Sequence, residues 1–292
     1  MRLLRWRPQL QTRPRPRSGL MPAHLHPGRR AGPSRLDKWY VDALLPDGSI
    51  VLVYLGSISA GPFSFSRVTA DLFLPDGTHR GGGAPGRRPR VSPGAADLGA
   101  GGFDGRRLWW QTAGLSGELA FTPRHPGFEL RCPFLASGRR SLHWLVEVPD
   151  ADVRGEVRWP GGSLAVEGRG YRDRVWCDIP LWRLPITELR WGRAVAGDHA
   201  AVWVVAAGPE GTLAEAWQDG HRAEPGFVPP LAGPGRVFLE GEVVDLDGLH
   251  LGPLRTPLGR LLHAPHQVKQ ASAASLGGVA GRAVHEVVTW TS

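Results

Sequence analysis

Residues 38–58 read KWYVDALLPDGSIVLVYLGSI, which is a turn signal flanked by two apolar runs. The turn is Pro46-Asp47-Gly48, because proline presets one backbone angle and glycine accepts a positive φ without steric cost. The flanking runs are rich in β-branched and aromatic residues, which favour strands. This stretch therefore predicts a β-hairpin, and the apolar run 65–74 followed by Pro75-Asp76-Gly77 predicts a second one.

The same alternation of short apolar runs and turn signals continues from Leu36 to the end, a pattern typical of antiparallel sandwiches and barrels. The chain contains 40 glycines and 27 prolines among 292 residues, a composition that long helices do not accommodate. Residues 81–105 are rich in Gly, Pro and Arg and are predicted to form a long exposed loop. We therefore predict an all-β protein with two barrel-like lobes, residues 36–180 and 181–292, with a single large sandwich as the alternative.

The formal net charge of +8 originates in one segment of the chain. Residues 1–35 hold nine arginines and no acidic residue, which leaves 26 basic and 27 acidic side chains in the rest. Because nucleic-acid-binding domains usually carry a basic face of their own, we expect no nucleic-acid partner. The Arg/Pro segment is predicted to be a disordered tail, and translation can start at either Met1 or Met21.

The predicted localisation is cytoplasmic. The tail has no continuous apolar core of a signal peptide, and the longest apolar run, Ala200–Ala207, is far short of the ~20 residues that cross a bilayer. Cys132 and Cys177 form no C-x-x-C pair, so reduced thiols are expected. The arginines of the tail are expected to allow peripheral contact with an anionic membrane, and nothing in the sequence indicates an oligomeric state.

Metal and cofactor motifs are the next class of signal. His24 and His26 lie in the tail and His263 and His266 flank a proline turn, all without cysteine or carboxylate neighbours at ligand spacing. Phosphate-binding, dinucleotide-binding and nucleophile-elbow motifs do not occur. We therefore expect no metal and no cofactor. Arginine outnumbers lysine by 33 to 2, which we attribute to genome composition.

The densest group of chemically reactive side chains lies in residues 168–176, GRGYRDRVW. Side chains alternate on a strand. One face would carry Tyr171, Asp173 and Val175, and the other Arg172, Arg174 and Trp176. The ordinary structural explanation of Asp173 is an ion pair with a neighbouring arginine. The alternative is a carboxylic acid beside a phenol on an inward face, which would be a reactive site.

A second strand, residues 142–148, places His143 and Glu147 on one face and Trp144 on the other. Alternation alone does not decide which of these two faces lies inside the protein.

These motifs resemble the carotenoid 1,2-hydratase (hydroxyneurosporene synthase) family and its AttH-like relatives. The resemblance covers about residues 36–292 and is carried by Trp39-Tyr40-Val41-Asp42-Ala43, by His143-Trp144 and by Gly170–Trp176. It implies two lipocalin-like (calycin) lobes, a lipophilic substrate, no cofactor, and an activity among hydratases, cyclases and pericyclic enzymes. The central run of the family reads close to G-x-Y-H-D-H-N-W-G, and this chain departs from it at Arg172, Arg174, Val175 and Cys177.

Hydration of an isoprenoid double bond requires a positioned acid, and a carboxyl group in an apolar pocket has a raised pKa. We assign Asp173 as that acid, facing an apolar cavity where the lobes meet, with Tyr171 orienting it. The resemblance places His143 close by, positioning water. The substrate-binding side chains are predicted to be Trp144, Trp176 and Trp191.

Two other activities stay open from the sequence: a related isomerase or cyclase, and a non-catalytic lipocalin-like protein that only binds a lipophilic molecule. A buried, unpaired Asp173 in a pocket favours catalysis. An Asp173 paired with Arg172 or Arg174 outside the cavity favours binding alone.

Overall fold

The computed structural model describes residues 34–60, 63–130, 134–180, 183–242 and 265–290. These residues form two antiparallel β-sheets, and no α-helix occurs among them. The predicted all-β fold class is confirmed. No segment within the described ranges is a helix long and apolar enough to span a membrane.

The first sheet has thirteen strands. They are β1 (Ser34–Leu44), β2 (Ile50–Ala60), β3 (Phe63–Phe73), β4 (His79–Pro85), β5 (Arg90–Ser92), β6 (Ala95–Asp97), β7 (Gly101–Asp104), β8 (Arg107–Gln111), β9 (Ser116–Pro123), β10 (Phe128–Glu129), β11 (Leu135–Ser137), β12 (Arg140–Trp159) and β13 (Gly162–Cys177). The strand order is β4-β3-β2-β1-β13-β12-β9-β8-β7-β6-β5, with β10 and β11 also paired to β12.

The second sheet has seven strands in the order β17-β16-β15-β14-β20-β19-β18. They are β14 (Glu188–Ala196), β15 (His199–Gly208), β16 (Gly211–Gln218), β17 (His221–Arg222), β18 (Leu231–Glu242), β19 (His266–Leu276) and β20 (Val279–Thr289). The chain changes sheet between Cys177 and Glu188, close to the lobe boundary predicted near residue 180. That the two lobes are separate domains stays a prediction.

The two predicted hairpins are present. Gly48 and Gly77 have φ angles of +101° and +90°, a backbone conformation that glycine adopts without strain. The first turn closes with a hydrogen bond from the Gly48 amide to the Leu45 carbonyl, 3.1 Å long. Strands β1 and β2 then pair directly, with Tyr40 opposite Tyr54.

The prediction of a long loop at residues 81–105 was wrong. This segment holds most of β4 and all of β5, β6 and β7. Its glycines allow close packing inside the sheet: a Cβ at Gly82 would lie 2.9 Å from the Thr112 hydroxyl oxygen, and one at Gly101 would lie 2.9 Å from a Val68 methyl group. Glycine here permits close approach of neighbours, whereas we had taken it as a sign of irregular structure.

Other boundaries also differ from the prediction. Strand β1 begins at Ser34, inside the segment 1–35 that we predicted to be a disordered tail, and residues 1–33 lie outside the described residues. Cys132 also lies outside them. Strand β19 was not predicted, because its run of Ala, Ser and Gln lacks the β-branched and aromatic residues typical of strands.

The core is layered. Alternate residues of β1 enter two different clusters: Trp39 packs on one face of the first sheet, and Tyr40 packs between the two sheets. The cluster between the sheets joins Trp144 and Tyr171 of the first sheet to Trp191 and other residues of the second. Residues 39–44 of β1 are therefore buried on both faces, which explains why Asp42 is the one polar residue among them.

Candidate active site

The candidate site lies between the sheets, where two rows of side chains face each other. In the first sheet, Tyr40 lies directly opposite Tyr54 on one side and Asp173 on the other. In the second sheet, Glu286 lies directly opposite both Trp191 and Lys269. Directly opposed residues on neighbouring strands share a face of the sheet, so each row projects as a unit.

Asp173 is the centre of this site. Its side chain is buried, and its Oδ2 accepts hydrogen bonds from Trp144 Nε1 at 2.9 Å and from the Tyr171 hydroxyl at 2.9 Å. Burial raises the pKa of Asp173 to about 7, although the positive charge of Lys38 and the two hydrogen bonds act in the opposite direction. The carboxyl group is thus close to half-protonated at neutral pH and can donate a proton.

The neighbouring arginines do not pair with Asp173. Arg172 Nε lies 2.8 Å from Glu147 Oε2, and Arg174 Nη2 lies 2.9 Å from Asp37 Oδ1. Both guanidinium groups are on the opposite face of β13, as period-two alternation predicts. Asp173 therefore does not serve as the ion-pair partner of an adjacent arginine, which was the purely structural role that the sequence left open.

The deep end of the site is an ion pair between the sheets. Arg193 of the second sheet pairs with Asp42 of the first, and both side chains are fully buried. Asp42 Oδ2 also accepts a hydrogen bond from the Tyr40 hydroxyl at 2.8 Å, while Arg193 Nη2 donates to the Arg169 carbonyl at 3.0 Å. This network ties the two sheets together beneath Asp173.

A second buried ion pair stands over the aromatic rings. Lys269 Nζ lies 2.6 Å from Glu286 Oε2, 4.1 Å from the centroid of the Tyr40 ring and 4.9 Å from that of Trp191. Burial lowers the pKa of Lys269, but Glu286 and Tyr54 more than offset this effect, so its pKa lies above the usual value. The ammonium group therefore stays charged.

Four of the six side chains predicted for the site come together. Asp173 binds Trp144 and Tyr171 directly, and the Trp191 ring lies with its centroid 6.5 Å from that of Trp144 and 5.4 Å from that of Tyr171. The catalytic and substrate-binding roles assigned to these residues stay predictions.

His143 and Trp176 are not brought to Asp173, contrary to our expectation. They lie opposite each other on β12 and β13, and their rings stack with centroids 4.8 Å apart on the other face of the sheet. His143 contacts Glu129 and Ser141 there, at 3.2 and 3.0 Å. The reason is alternation: once Trp144 faces the site, its neighbour His143 must face away.

Several residues of the site escaped the sequence reasoning: Lys38, Tyr40, Asp42, Tyr54, Arg193, Lys269 and Glu286. One signal could have found some of them. The chain has only two lysines and three tyrosines, and all five lie in this site. Genome composition, to which we attribute the scarcity of lysine, does not explain why both lysines are located in this site.

The site is closed by its own side chains. Asp173, Trp144, Tyr171 and Trp191 are all buried in an aromatic layer, where we had expected an apolar cavity. Two surface cavities, of about 160 and 230 Å³, lie elsewhere, one of them beside Trp217. Within the described part of the chain, no group of three or more His, Cys, Asp and Glu side chains is arranged to hold a metal ion.

No protein-family model and no curated protein matches the sequence. Solved structures do match the fold. CghA with Sch210972 superposes with a TM-score of 0.61 at 13% identity over 89% of each chain. An AttH candidate from Nitrosomonas europaea gives a TM-score of 0.59 at 16% identity, covering 88% of this chain and 93% of its own.

Kievitone hydratase from Nectria haematococca gives a TM-score of 0.52 at 12% identity over 89% of this chain and 90% of its own. This chain has their lipocalin-like fold. The predicted likeness to AttH-like proteins is therefore confirmed at the level of the fold. In this lipocalin-like fold, Asp173 lies where the two sheets pack against each other.

Proposed function

We propose that the protein is a cofactor-independent enzyme that acts on a C=C bond of a lipophilic, isoprenoid or carotenoid-like substrate, with Asp173 as the general acid. Hydration is the favoured reaction, and cyclisation or isomerisation through the same first step is the alternative. The observation that carries the proposal is a buried carboxyl group with a pKa of about 7, free of arginine and held by two hydrogen-bond donors.

The first step transfers the proton of Asp173 to one alkene carbon and leaves a cation on the other. Trp144 and Tyr171 both donate to Oδ2, so the carboxylate that forms is stabilised as the proton leaves. In hydration, water attacks the cation and returns its extra proton to Asp173, which restores the acid. In isomerisation, the cation loses a neighbouring C–H proton to the Asp173 carboxylate and a new C=C bond forms. In cyclisation, a second C=C bond first attacks the cation, and the new cation that results loses a C–H proton to the same carboxylate.

The aromatic layer supports such a cation. The rings of Trp144 and Trp191 lie nearly parallel, with centroids 6.5 Å apart, in the layer that holds Asp173, and a cation over the face of an indole ring gains about 0.5–2 kcal/mol. The positive charge of Lys269 would oppose the cation, but Glu286 neutralises it at 2.6 Å. Because the layer is closed, entry of substrate requires the aromatic side chains to separate.

The alternative of a binding protein without turnover is less well supported. A pure carrier has no use for a buried carboxylic acid with a raised pKa, since burying that group costs stability. Two structural neighbours support an enzyme by analogy of fold. One is kievitone hydratase, and the other is CghA, whose structure contains Sch210972.

The test is to incubate the purified protein, without added cofactor, with lipid extracts of its host and to follow products by mass spectrometry. A gain of one water indicates hydration, and an isomer of unchanged mass indicates cyclisation or isomerisation. Asp173→Asn should abolish either product, because the amide keeps the shape but has no acidic proton. Asp198→Asn, at an exposed aspartate, is the matched control. Unaltered lipids that co-purify with both proteins would indicate a carrier.

A further inference from the structure

Lys38 stands at the outer edge of the site. It shares a face of β1 with Tyr40 and lies directly opposite Gly56 on β2 and Val175 on β13. Lys38, Gly56 and Val175 are all partly exposed, whereas Tyr40 and Asp173 in the next row are buried. The row of Lys38 is therefore the level at which a substrate would reach the site from solvent.

Gly56 leaves space beside this lysine. A Cβ atom built at Gly56 would meet nothing within 4 Å, and it would project on the same face as Lys38. The backbone of Gly56 does not have a positive φ, so its conformation does not demand glycine. Gly56 therefore leaves open space on the face of β2 that also carries Tyr54, directly opposite Lys38 in the register.

Lys38 forms no direct ion pair with a described side chain. Lys269 pairs with Glu286 and Arg193 pairs with Asp42, whereas Lys38 Nζ lies 5.1 Å from the centroid of the Tyr54 ring. Burial lowers the pKa of Lys38, and the carboxylates of Glu286 and Asp173 act on it in the opposite direction. With Asp173 protonated, as catalysis requires, the described side chains of the site carry a net charge of +1. A bound monoanion would balance that charge.

The Tyr54 hydroxyl is a second donor that could bind an anionic ligand. The Tyr54 hydroxyl is buried and interacts with the Lys269 ammonium, which can only donate, so the proton of the hydroxyl has no acceptor in the described ranges. Leaving a buried donor unsatisfied costs free energy, so such a group usually awaits a ligand or water. Lys38 and Tyr54 together offer two donors and one positive charge on the face where Gly56 leaves space.

We infer that the substrate is a lipophilic carboxylic acid whose carboxylate is bound by Lys38 and Tyr54, while its C=C bond reaches Asp173. This inference rests on the proposed function, because it assumes that the substrate enters the aromatic layer between the sheets. A monoanion matches the net charge of +1, whereas a dianionic phosphate would leave a negative charge uncompensated in an apolar layer.

The arrangement also couples binding to the acid. Among the neighbouring groups, Lys38 exerts the strongest effect that lowers the pKa of Asp173. A carboxylate bound to Lys38 offsets that effect, so the bound substrate favours the protonated form of Asp173. Asp173 would then be protonated in the complex with the substrate.

The experiment compares retinoic acid with its methyl ester, two isoprenoid probes that differ only in the charged group, by quenching of tryptophan fluorescence. The wild-type protein should bind the acid about tenfold more tightly than the ester. Lys38→Met should remove that preference by weakening the acid alone, Lys38→Arg should retain most of it, and Tyr54→Phe should reduce it. Arg190→Met, at an exposed arginine of β14, is the matched control and should change neither affinity.

Equal affinity for the two probes, absence of acid binding, or equal weakening of both by Lys38→Met would overturn the inference. Far-ultraviolet circular dichroism of each variant shows that it is folded, and Tyr54→Phe tests the same subsite if Lys38→Met does not fold. The proposed function is judged separately by turnover in the Asp173→Asn protein. If the Asp173→Asn protein loses turnover and the wild-type protein binds both probes equally, Asp173 remains the general acid and the carboxylate subsite is rejected.

Discussion

Trp144 donates its indole N–H to Asp173 Oδ2 over 2.9 Å, from the strand adjacent to the one that carries the aspartate. The Tyr171 hydroxyl reaches the same oxygen from two residues along β13. Neither of these donors takes the other oxygen, Oδ1, which is therefore available to carry the transferable proton. The carboxyl group is held in one orientation by donors on two strands, and this geometry underlies the first prediction.

Removing either donor should lower turnover less than removing the acid. We expect about a tenfold loss in kcat for Tyr171→Phe and for Trp144→Phe, because each removes one hydrogen bond to the developing carboxylate. Asp173→Asn should lose more than about a hundredfold, the lower end of what a general acid contributes. Steady-state kinetics on the identified substrate measure these values, and a larger loss in Tyr171→Phe than in Asp173→Asn would contradict the assignment.

The pH profile should report the protonation of Asp173. The acid works only when protonated, so activity should fall as the pH rises through about 7, the pKa of Asp173. Lys38→Met removes a positive charge that lowers this pKa, so the fall should move to higher pH. The measurement is kcat/KM against pH for both proteins, and a midpoint that is the same in both would argue against electrostatic coupling of Lys38 to Asp173.

The ionised form of Asp173 should also lower the free energy of unfolding at high pH. Its pKa is about 7 in the folded protein against 3.8 in a solvated reference, so between pH 4 and 7 the folded state binds more protons than the unfolded state. Stability contributed by this group therefore falls as the pH rises, by about 4 kcal/mol above pH 7. Asp173→Asn should be more stable than wild type at pH 8, and its advantage should be smaller by several kcal/mol at pH 4.

The measurement is urea unfolding of the two proteins at pH 4 and pH 8. Other titrating groups are common to both proteins and largely cancel in the comparison. A difference in unfolding free energy that does not change with pH would mean that Asp173 titrates normally.

The pair formed by Lys269 and Glu286 should be strongly coupled. Lys269→Met leaves the Glu286 carboxylate buried without its partner and should destabilise the protein by about 3–5 kcal/mol. The double variant Lys269→Met/Glu286→Gln should cost much less than the sum of the single changes, since no charge is then left unpaired. The exposed pair Arg154–Glu167 is the control and should contribute at most about 1 kcal/mol. Additive losses at Lys269 and Glu286 would contradict the buried pairing.

We propose a role for the arginine-rich segment in reaching lipophilic substrates held in membranes. Residues 1–33 contain eight arginines, and a basic side chain near an anionic surface contributes about 1 kcal/mol. Deletion of residues 1–33 should leave the melting temperature nearly unchanged and abolish flotation with phosphatidylserine vesicles. Neutral phosphatidylcholine vesicles and high salt are the controls, and equal flotation of the full-length and shortened proteins would remove this role.

The sequence alone determined the features that depend only on residues adjacent in the chain, such as turns and the alternation of side chains on a strand. Turn chemistry at Pro46-Asp47-Gly48 specifies a hairpin, because proline fixes its own φ and glycine accepts a positive φ wherever they occur in a chain. Alternation along residues 171–176 separates Asp173 from Arg172 and Arg174, because successive side chains on a strand point to opposite faces. The all-β fold and the grouping of Tyr171 with Asp173 follow from such local rules.

The tertiary structure alone decided which faces meet. Alternation separates His143 from Trp144 but does not say which of them is inside, and packing of the second sheet selected Trp144. Lys269 and Glu286 lie far along the chain from Asp173 and join the site only because β14, β20 and β19 pair in that order over the first sheet. The pKa of about 7 follows from the same packing, since burial between the sheets, and no feature of the local sequence, removes water from the Asp173 carboxyl group.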